Sequence, residues 1–386
     1  MGYRTIWVYP WDFLLLGSER VAQDIASAGL DAVSCAAKYH SVEHLLCRGK
    51  GNRFFAATAS VYFRPQRRLY QKTSLQPILS PLCQQTDPLA EVCRAADKKG
   101  LKVIAWTVFL HDSALGRRHP DACMVNAFGD VYYSNLCPAN PEVREFVRAL
   151  VQDLSRYPLF AIECESLHFG GVGHYHGHEK IGIPPNPPLW TLLGLCFCPH
   201  CRYFARKKGL RLAGLRSLVE KVVLGALQGG GNGELKRTFK EPDLKAFFQI
   251  RAEIVSSLVA EARSVSKVPF SFILMGSPQD IGASAGSLEG AVDRYEILAY
   301  THDAHQVRQL TEDLVRQVKD GERCVTGLQA YYPASPNRQT LIATATAAAE
   351  GGAKNISFYH YGIMPPSCLD WVRQAVHAFG KKAVAA

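Results

Sequence analysis

Lys99-Gly100-Leu101-Lys102-Val103-Ile104 joins the end of an amphipathic helix to a short, β-rich apolar run. Glycine just past a helix end takes the left-handed conformation that closes the helix, and the chain can then turn into a strand. The same order of features returns at Ala28-Gly29-Leu30-Asp31-Ala32-Val33, at Asp320-Gly321-Glu322-Arg323-Cys324-Val325 and at Gly351-Gly352-Ala353-Lys354-Asn355-Ile356. Helix, glycine and strand repeated along a chain indicate α/β units around a parallel sheet.

Working outward from these joints, eight candidate strands emerge, at 6–10, 32–37, 103–109, 160–168, 270–275, 296–300, 324–330 and 355–359. Helices are expected between them, including 141–154, which opens on Asn140-Pro141-Glu142 with proline at its first position, and 244–264, 305–319, 338–348 and 367–379. No second block of different composition interrupts the pattern. The expected fold is therefore α/β, a single (β/α)8 barrel over residues 1–386 with an insertion at about 170–240 after strand 4. A doubly wound open sheet is the alternative, but it would carry a Gly-rich first turn, and none is present. The run Gly229-Gly230-Gly231-Asn232-Gly233 follows a helix, so it reads as a flexible loop and not as a phosphate cradle.

Bulk properties exclude several function classes. Apolar residues make up 47% and charged residues 20% of the chain, enough to bury a large core. No run approaches the roughly 18 uncharged apolar residues of a membrane span. Met1-Gly2-Tyr3-Arg4-Thr5-Ile6-Trp7 lacks the pattern of a secretory signal, so the expectation is a cytoplasmic protein. The net charge of +10 is scattered, with only short clusters such as Arg206-Lys207-Lys208, and no nucleic-acid module is visible. A homo-oligomer is compatible with all of this.

Function in such a barrel sits at the C-terminal ends of the strands. Those ends are polar and aromatic here. Strand 1 leads into Trp11 and Asp12, strand 2 into Lys38 and His40, and strand 3 into His111 and Asp112. Strand 4 carries Glu163, Glu165 and His168; strand 6 ends in Tyr300, His302 and Asp303. Strand 7 brings Gln329 and Tyr331, and strand 8 brings His360. Aromatic platforms with carboxylates and imidazoles between them suit a sugar, whose CH faces stack and whose hydroxyls hydrogen-bond. Glu163 and Glu165 are the sharpest pair. Residues two apart on a strand face the same side, and crowding two carboxyls there raises one pKa, as a general acid requires.

Of the twelve cysteines, several read as plain buried thiols, but Cys196, Cys198 and Cys201 fall within six residues. Three thiolates at this spacing suit tetrahedral zinc, with a fourth ligand from elsewhere; His200 is the local rival, poorly placed beside Cys201. The cluster and the helix Arg202-Tyr203-Phe204 behind it resemble glycoside hydrolase family 42, the barrel β-galactosidases. So do Cys137-Pro138-Ala139-Asn140-Pro141-Glu142-Val143-Arg144-Glu145, the lead-in His119-Pro120-Asp121 with Gly129-Asp130, and Ile162-Glu163-Cys164-Glu165 on strand 4. The likeness is concentrated over about residues 100 to 210. It implies a zinc site of Cys137, Cys196, Cys198 and Cys201 bracing the long loop after strand 4, and Glu165 as the acid/base. This chain departs from the family at two points. Cys164 stands where the family has an asparagine that bonds the substrate's 2-hydroxyl, and Gln329 stands near the place of the strand-7 nucleophile glutamate. A glutamine cannot form the glycosyl ester of a retaining mechanism.

The expected function is thus a glycoside hydrolase acting on carbohydrate, with Glu165 as acid/base and a second carboxylate. Asp303 is preferred for that second role over Asp12 or Asp112. Lys38-Tyr39-His40 also resembles, more faintly, the Lys-His-His of α-fucosidases. A catalytically inactive sugar-binding barrel is the rival that Gln329 invites. A metal-dependent sugar isomerase or lyase built on His40, His111, His168, His302 or His360 ranks last, because these histidines lack ligand spacing. The run His174-Tyr175-His176-Gly177-His178-Glu179 suits a local metal site or an active-site lid.

Overall fold

In the computed structural model, residues 2–385 are described apart from 50, 52, 173–179, 185, 230 and 231. The histidine-rich run at 174–179 and the centre of the glycine run lie outside the described residues. Eight parallel strands form where the sequence pattern places them: β1 Arg4–Val8, β2 Ala32–Tyr39, β3 Lys102–Val108, β4 Ala161–Glu165, β5 Phe270–Leu274, β6 Arg294–Leu298, β7 Cys324–Gln329 and β8 Asn355–Tyr359. Each pairs with its sequence neighbours, and β1 pairs with both β2 and β8, so the sheet closes. The fold is a (β/α)8 barrel.

Among the described residues seven helices wrap the outside: α1 Ser18–Ser27, α2 Pro88–Asp97, α3 Pro141–Leu154, α4 Pro242–Ser264, α5 Ala304–Val318, α6 Arg338–Glu350 and α7 Cys368–Ala385. Their starts follow local chemistry. Asp87, Asn140, Asp303 and Asn337 each turn a side-chain oxygen onto a backbone N–H of the first turn, which otherwise lacks a partner. The expectation of a helix in every connection fails between β5 and β6. Only the short helix Pro278–Ile281 and the turn Gly286–Leu288 lie there, and Ile281, Leu288 and Val292 join the core shared with α4. The connection from β4 to β5 is the long one, and among its described residues it carries the helices Pro187–Leu193, Pro199–Lys207, Leu212–Leu227 and Asn232–Thr238 before α4.

The interior of the barrel departs from the usual branched-aliphatic filling. Ser34 of β2, Glu163 of β4, Glu296 of β6 and Ser357 of β8 form one polar layer, all four fully buried. Trp7 Nε1 (2.5 Å) and Ser34 Oγ (2.8 Å) donate to Glu163 Oε2, and Ser357 Oγ donates to Glu296 Oε1. Trp7 reaches across the barrel because β7 offers Gly327. A Cβ there would come within 3.0 Å of the Trp7 ring and 3.1 Å of the Ser357 hydroxyl.

Candidate active site

Glu165 is the last residue of β4. Ser166 follows with φ of 53°, a left-handed conformation that costs a non-glycine residue about 1–2 kcal/mol. Trp106, inward on β3, donates its Nε1–H to Glu165 Oε2. The Trp106 ring lies 4.6 Å from Tyr39 and 6.2 Å from Tyr359, and Tyr359 in turn lies 5.7 Å from Tyr300 and 6.3 Å from Tyr331. Tyr9 ties this wall together, its hydroxyl 3.2 Å from that of Tyr39 and 3.3 Å from that of Tyr359. The result is a carboxyl held in an aromatic mouth at the C-terminal end of the barrel.

Burial raises the Glu165 pKa to about 7; the Trp106 N–H opposes the rise and the charge of Glu163 adds to it. Below it, the buried carboxyls of Glu163 and Glu296 lie close enough to shift one another, and neither Glu163 Oε1 nor Glu296 Oε2 has a hydrogen-bond partner among the described residues. Burial is the main cause of the upward shift of both. A carboxyl poised near neutrality can give a proton at one step and take it back at the next.

The expected site residues divide into three groups. Glu165, Tyr300, Gln329 and Tyr331 come together at the mouth, with Gln329 half-buried and its amide donating to the Tyr332 carbonyl at 3.3 Å. Glu163 lies a layer lower, inside the barrel and closed to solvent. His111 and His168 line a separate cavity beside β4 and β5.

The remaining residues lie away from this mouth or are held in other contacts. Asp303, expected as the second catalytic carboxylate, is an exposed helix cap whose oxygen accepts from the backbone N–H of His305 and Gln306; His302 beside it is exposed too. Trp11, expected as a sugar platform, is fully buried between Tyr9 (4.2 Å) and Phe55 (4.4 Å). Asp12 accepts from the Tyr9 backbone N–H, and burial lifts it to about 7. Lys38 and Asp112 form a buried ion pair at 2.9 Å, and Lys38 also donates to the Val108 carbonyl. His40 packs 5.2 Å from His111, and His360 is buried with its ring 4.0 Å from that of Tyr9. Cys164 points the other way from Glu163 and Glu165, into the core beneath the helices. Among the described residues the histidines form no metal-binding group. The two partners not foreseen are Trp106 and Glu296. Both lie inward by strict alternation, so the strand pattern carried the signal.

The four cysteines do converge. Cys137 follows the hairpin strand Val131–Leu136, Cys198 caps the helix Pro199–Lys207 and Cys201 lies in its first turn. Their Sγ atoms lie within 4.8 Å of one another, with Cys137 at 3.5, 3.6 and 3.9 Å from Cys198, Cys201 and Cys196. A tetrahedron of sulfurs about 2.3 Å from a central ion has edges of about 3.8 Å. The donor set therefore fits one metal ion, which would pin the long connection after β4 to the start of α3.

Closed eightfold parallel topology with its polar mouth places the chain among the (β/α)8 barrels. No family model matches the sequence, and no curated protein sequence matches it. Solved structures do. An alpha-L-fucosidase isoenzyme 2 from Paenibacillus thiaminolyticus is similar over 100% of this chain and 50% of its own, with TM-score 0.60 and 13% identity. A beta-galactosidase from the psychrophilic Marinomonas ef1 is similar over 100% of this chain and 60% of its own, with TM-score 0.60 and 13% identity. An endo-1,4-beta-mannanase from Rhizomucor miehei is similar over 98% of this chain and 95% of its own, with TM-score 0.53 and 9% identity. This chain thus spans 50–60% of the length of the first two. At such identities the likeness is one of fold. No helix among the described residues is long and apolar enough to cross a membrane.

Proposed function

We propose that this barrel hydrolyses a glycosidic bond of a carbohydrate, with Glu165 as general acid/base. The observation that carries the proposal is a carboxyl lifted to about 7 inside an aromatic wall at the strand ends. The wall suits the CH faces of a sugar ring, and a protonated carboxyl suits a leaving glycosidic oxygen. The names of the solved structures with this fold agree with the reading. On the same reading residues 1–386 form one barrel domain with its insertion at about 170–240. Cys137, Cys196, Cys198 and Cys201 would hold a structural zinc, which neutralises thiolate charge and crosslinks the insertion, with no part in the reaction.

A second reading is a barrel that binds sugar without cleaving it. It is favoured by Gln329 at the mouth of β7 and by the commitment of Asp303 to capping. Turnover of a panel of aryl glycosides by wild type and Glu165→Gln decides between them. Cleavage lost in the variant supports hydrolysis. Sugar binding by wild type with no cleavage supports the second reading.

A further inference from the structure

A cavity of about 430 Å³ lies between α1, the residues just past β8 and the loop that joins the hairpin strands Val42–Leu45 and Phe54–Ala57. Its size falls within the roughly 300–1,000 Å³ of small-ligand sites. Three arginines line it: Arg20 from α1, and Arg48 and Arg53 from the hairpin loop.

The loop folds back on itself. The Leu46 N–H donates to the Arg53 carbonyl at 2.6 Å, and Gly49 and Gly51 turn left-handed at φ of 86° and 88°. That return brings Arg48 and Arg53 to one wall. Arg48 Nε donates to the Tyr361 carbonyl at 3.0 Å, and its guanidinium lies 4.3 Å from the centre of the Tyr361 ring, so its charge is held in place before any ligand arrives. Arg53 Nη1 donates to the Gly49 carbonyl at 3.2 Å. Contacts to carbonyls and to a ring fix a guanidinium without cancelling its charge. Asp24, the carboxylate among the described lining residues, accepts from the Tyr361 hydroxyl at 2.7 Å.

Three cations and one carboxylate around one cavity attract an anion. Its kind follows from the forks. A guanidinium meets carboxylate or phosphate oxygens two at a time, and a single fork is enough for a carboxylate. Forks from a helix and from two ends of a loop suit the several oxygens and higher charge of a phosphate. Leu45, Leu46 and Pro366 continue the wall as apolar surface for whatever the phosphate is attached to.

We propose that this cavity binds a phosphate group, free or carried on a sugar, through Arg20, Arg48 and Arg53. It shares no lining residue with the Glu165 mouth, so the site stands whether or not the barrel cleaves glycosides. Cys47 supplies a local reporter, since it lines the same cavity and is the one cysteine of the twelve that is not buried. Isothermal titration with inorganic phosphate and with glucose 6-phosphate tests the site, at an ionic strength held constant with chloride. The proteins are wild type, Arg20→Gln, Arg48→Gln, Arg53→Gln and, as a control, Arg316→Gln on the exposed face of α5. Inorganic phosphate is expected to bind wild type and Arg316→Gln alike, and about tenfold more weakly in each cavity variant. Over the same concentrations it should slow the alkylation of Cys47 by iodoacetamide, read by mass spectrometry, whereas glucose should not. Tighter binding of glucose 6-phosphate than of inorganic phosphate identifies a phosphorylated sugar as the ligand; equal or weaker binding identifies free phosphate. Should Arg48→Gln fail to fold, the exposed Arg20 and Arg53 carry the comparison. No phosphate binding, affinity unmoved by the cavity variants, an equal loss in Arg316→Gln, or Cys47 alkylated at the same rate with phosphate bound overturns the proposal.

Discussion

A carboxyl that titrates near neutrality leaves its mark on a pH profile. If Glu165 protonates the leaving group, kcat/KM falls as pH rises through about 7, where the free enzyme loses that proton. Glu165→Gln should abolish this limb and lower kcat on unactivated glycosides by about 10²- to 10⁴-fold. A basic limb that persists in the variant would assign the proton to another group. Asp303→Ala should leave kcat close to wild type and lower only stability, by about 1 kcal/mol, as the loss of a helix cap does. Thermal melts beside initial rates separate the two effects. Trp106→Phe removes the N–H that stabilises the Glu165 carboxylate and holds its pKa down. The basic limb should then move to higher pH, with the aromatic wall kept.

At the scale of elements, the connection after β4 and the polar layer inside the barrel are the parts with most to lose. Four sulfurs at zinc-like separations join the segment 196–201 to Cys137 at the entry to α3. Elemental analysis should find about one zinc per chain, and Cys198→Ser should lose it and lower Tm. Metal-free protein of unchanged Tm would remove the zinc assignment. Inside the barrel, Glu296 and Glu163 are neighbouring buried carboxyls, with Trp7 and Ser34 donating to Glu163 Oε2 and Ser357 to Glu296 Oε1. Glu296→Gln keeps the volume and the acceptor for Ser357 without a buried acid and should cost about 1 kcal/mol or less. Glu296→Ala strands the Glu163 carboxyl in a closed cavity and should cost about 3 kcal/mol or more. Denaturant unfolding of the two variants measures the difference.

Over the whole molecule, buried acids and buried imidazoles pull stability in opposite directions with pH. Glu165 and Asp12 each rise to about 7 from ordinary values of 4.5 and 3.8. Their native forms hold protons that the unfolded chain has released, so their stabilisation is complete in acid and is lost as pH rises toward 7. His168 and His360 are lowered from 6.5 by burial, so they add stability as pH rises to about that value. Above pH 6.5 only the carboxyl contributions remain, and Tm should decline from there to pH 8, less so in Glu165→Gln. A Tm that climbs over this window would show that these acids are not buried in protonated form. Much of this architecture is legible in the chain: the left-handed glycines after α1, α2 and α6 (Gly29, Gly100 and Gly352), the β-rich runs and the capping residues are local, and local chemistry placed all eight strands, although after α5 it is Lys319 and not Gly321 that turns left-handed. Glu165 and the Cys-x-Cys-x-x-Cys cluster were legible for the same reason, being short patterns whose chemistry is carried by adjacent residues. Which strand-end groups reach the mouth is not a local property. Asp303 and Trp11 look as functional in sequence as Glu165 does, but a helix start claims one and a stacked core claims the other. Trp106 and Glu296 became partners only when closure brought separate strands across the barrel, because a buried acid is set by whatever surrounds it in space. Glu165 is thus a residue that the chain announces, and its proton is a property that the closed barrel confers.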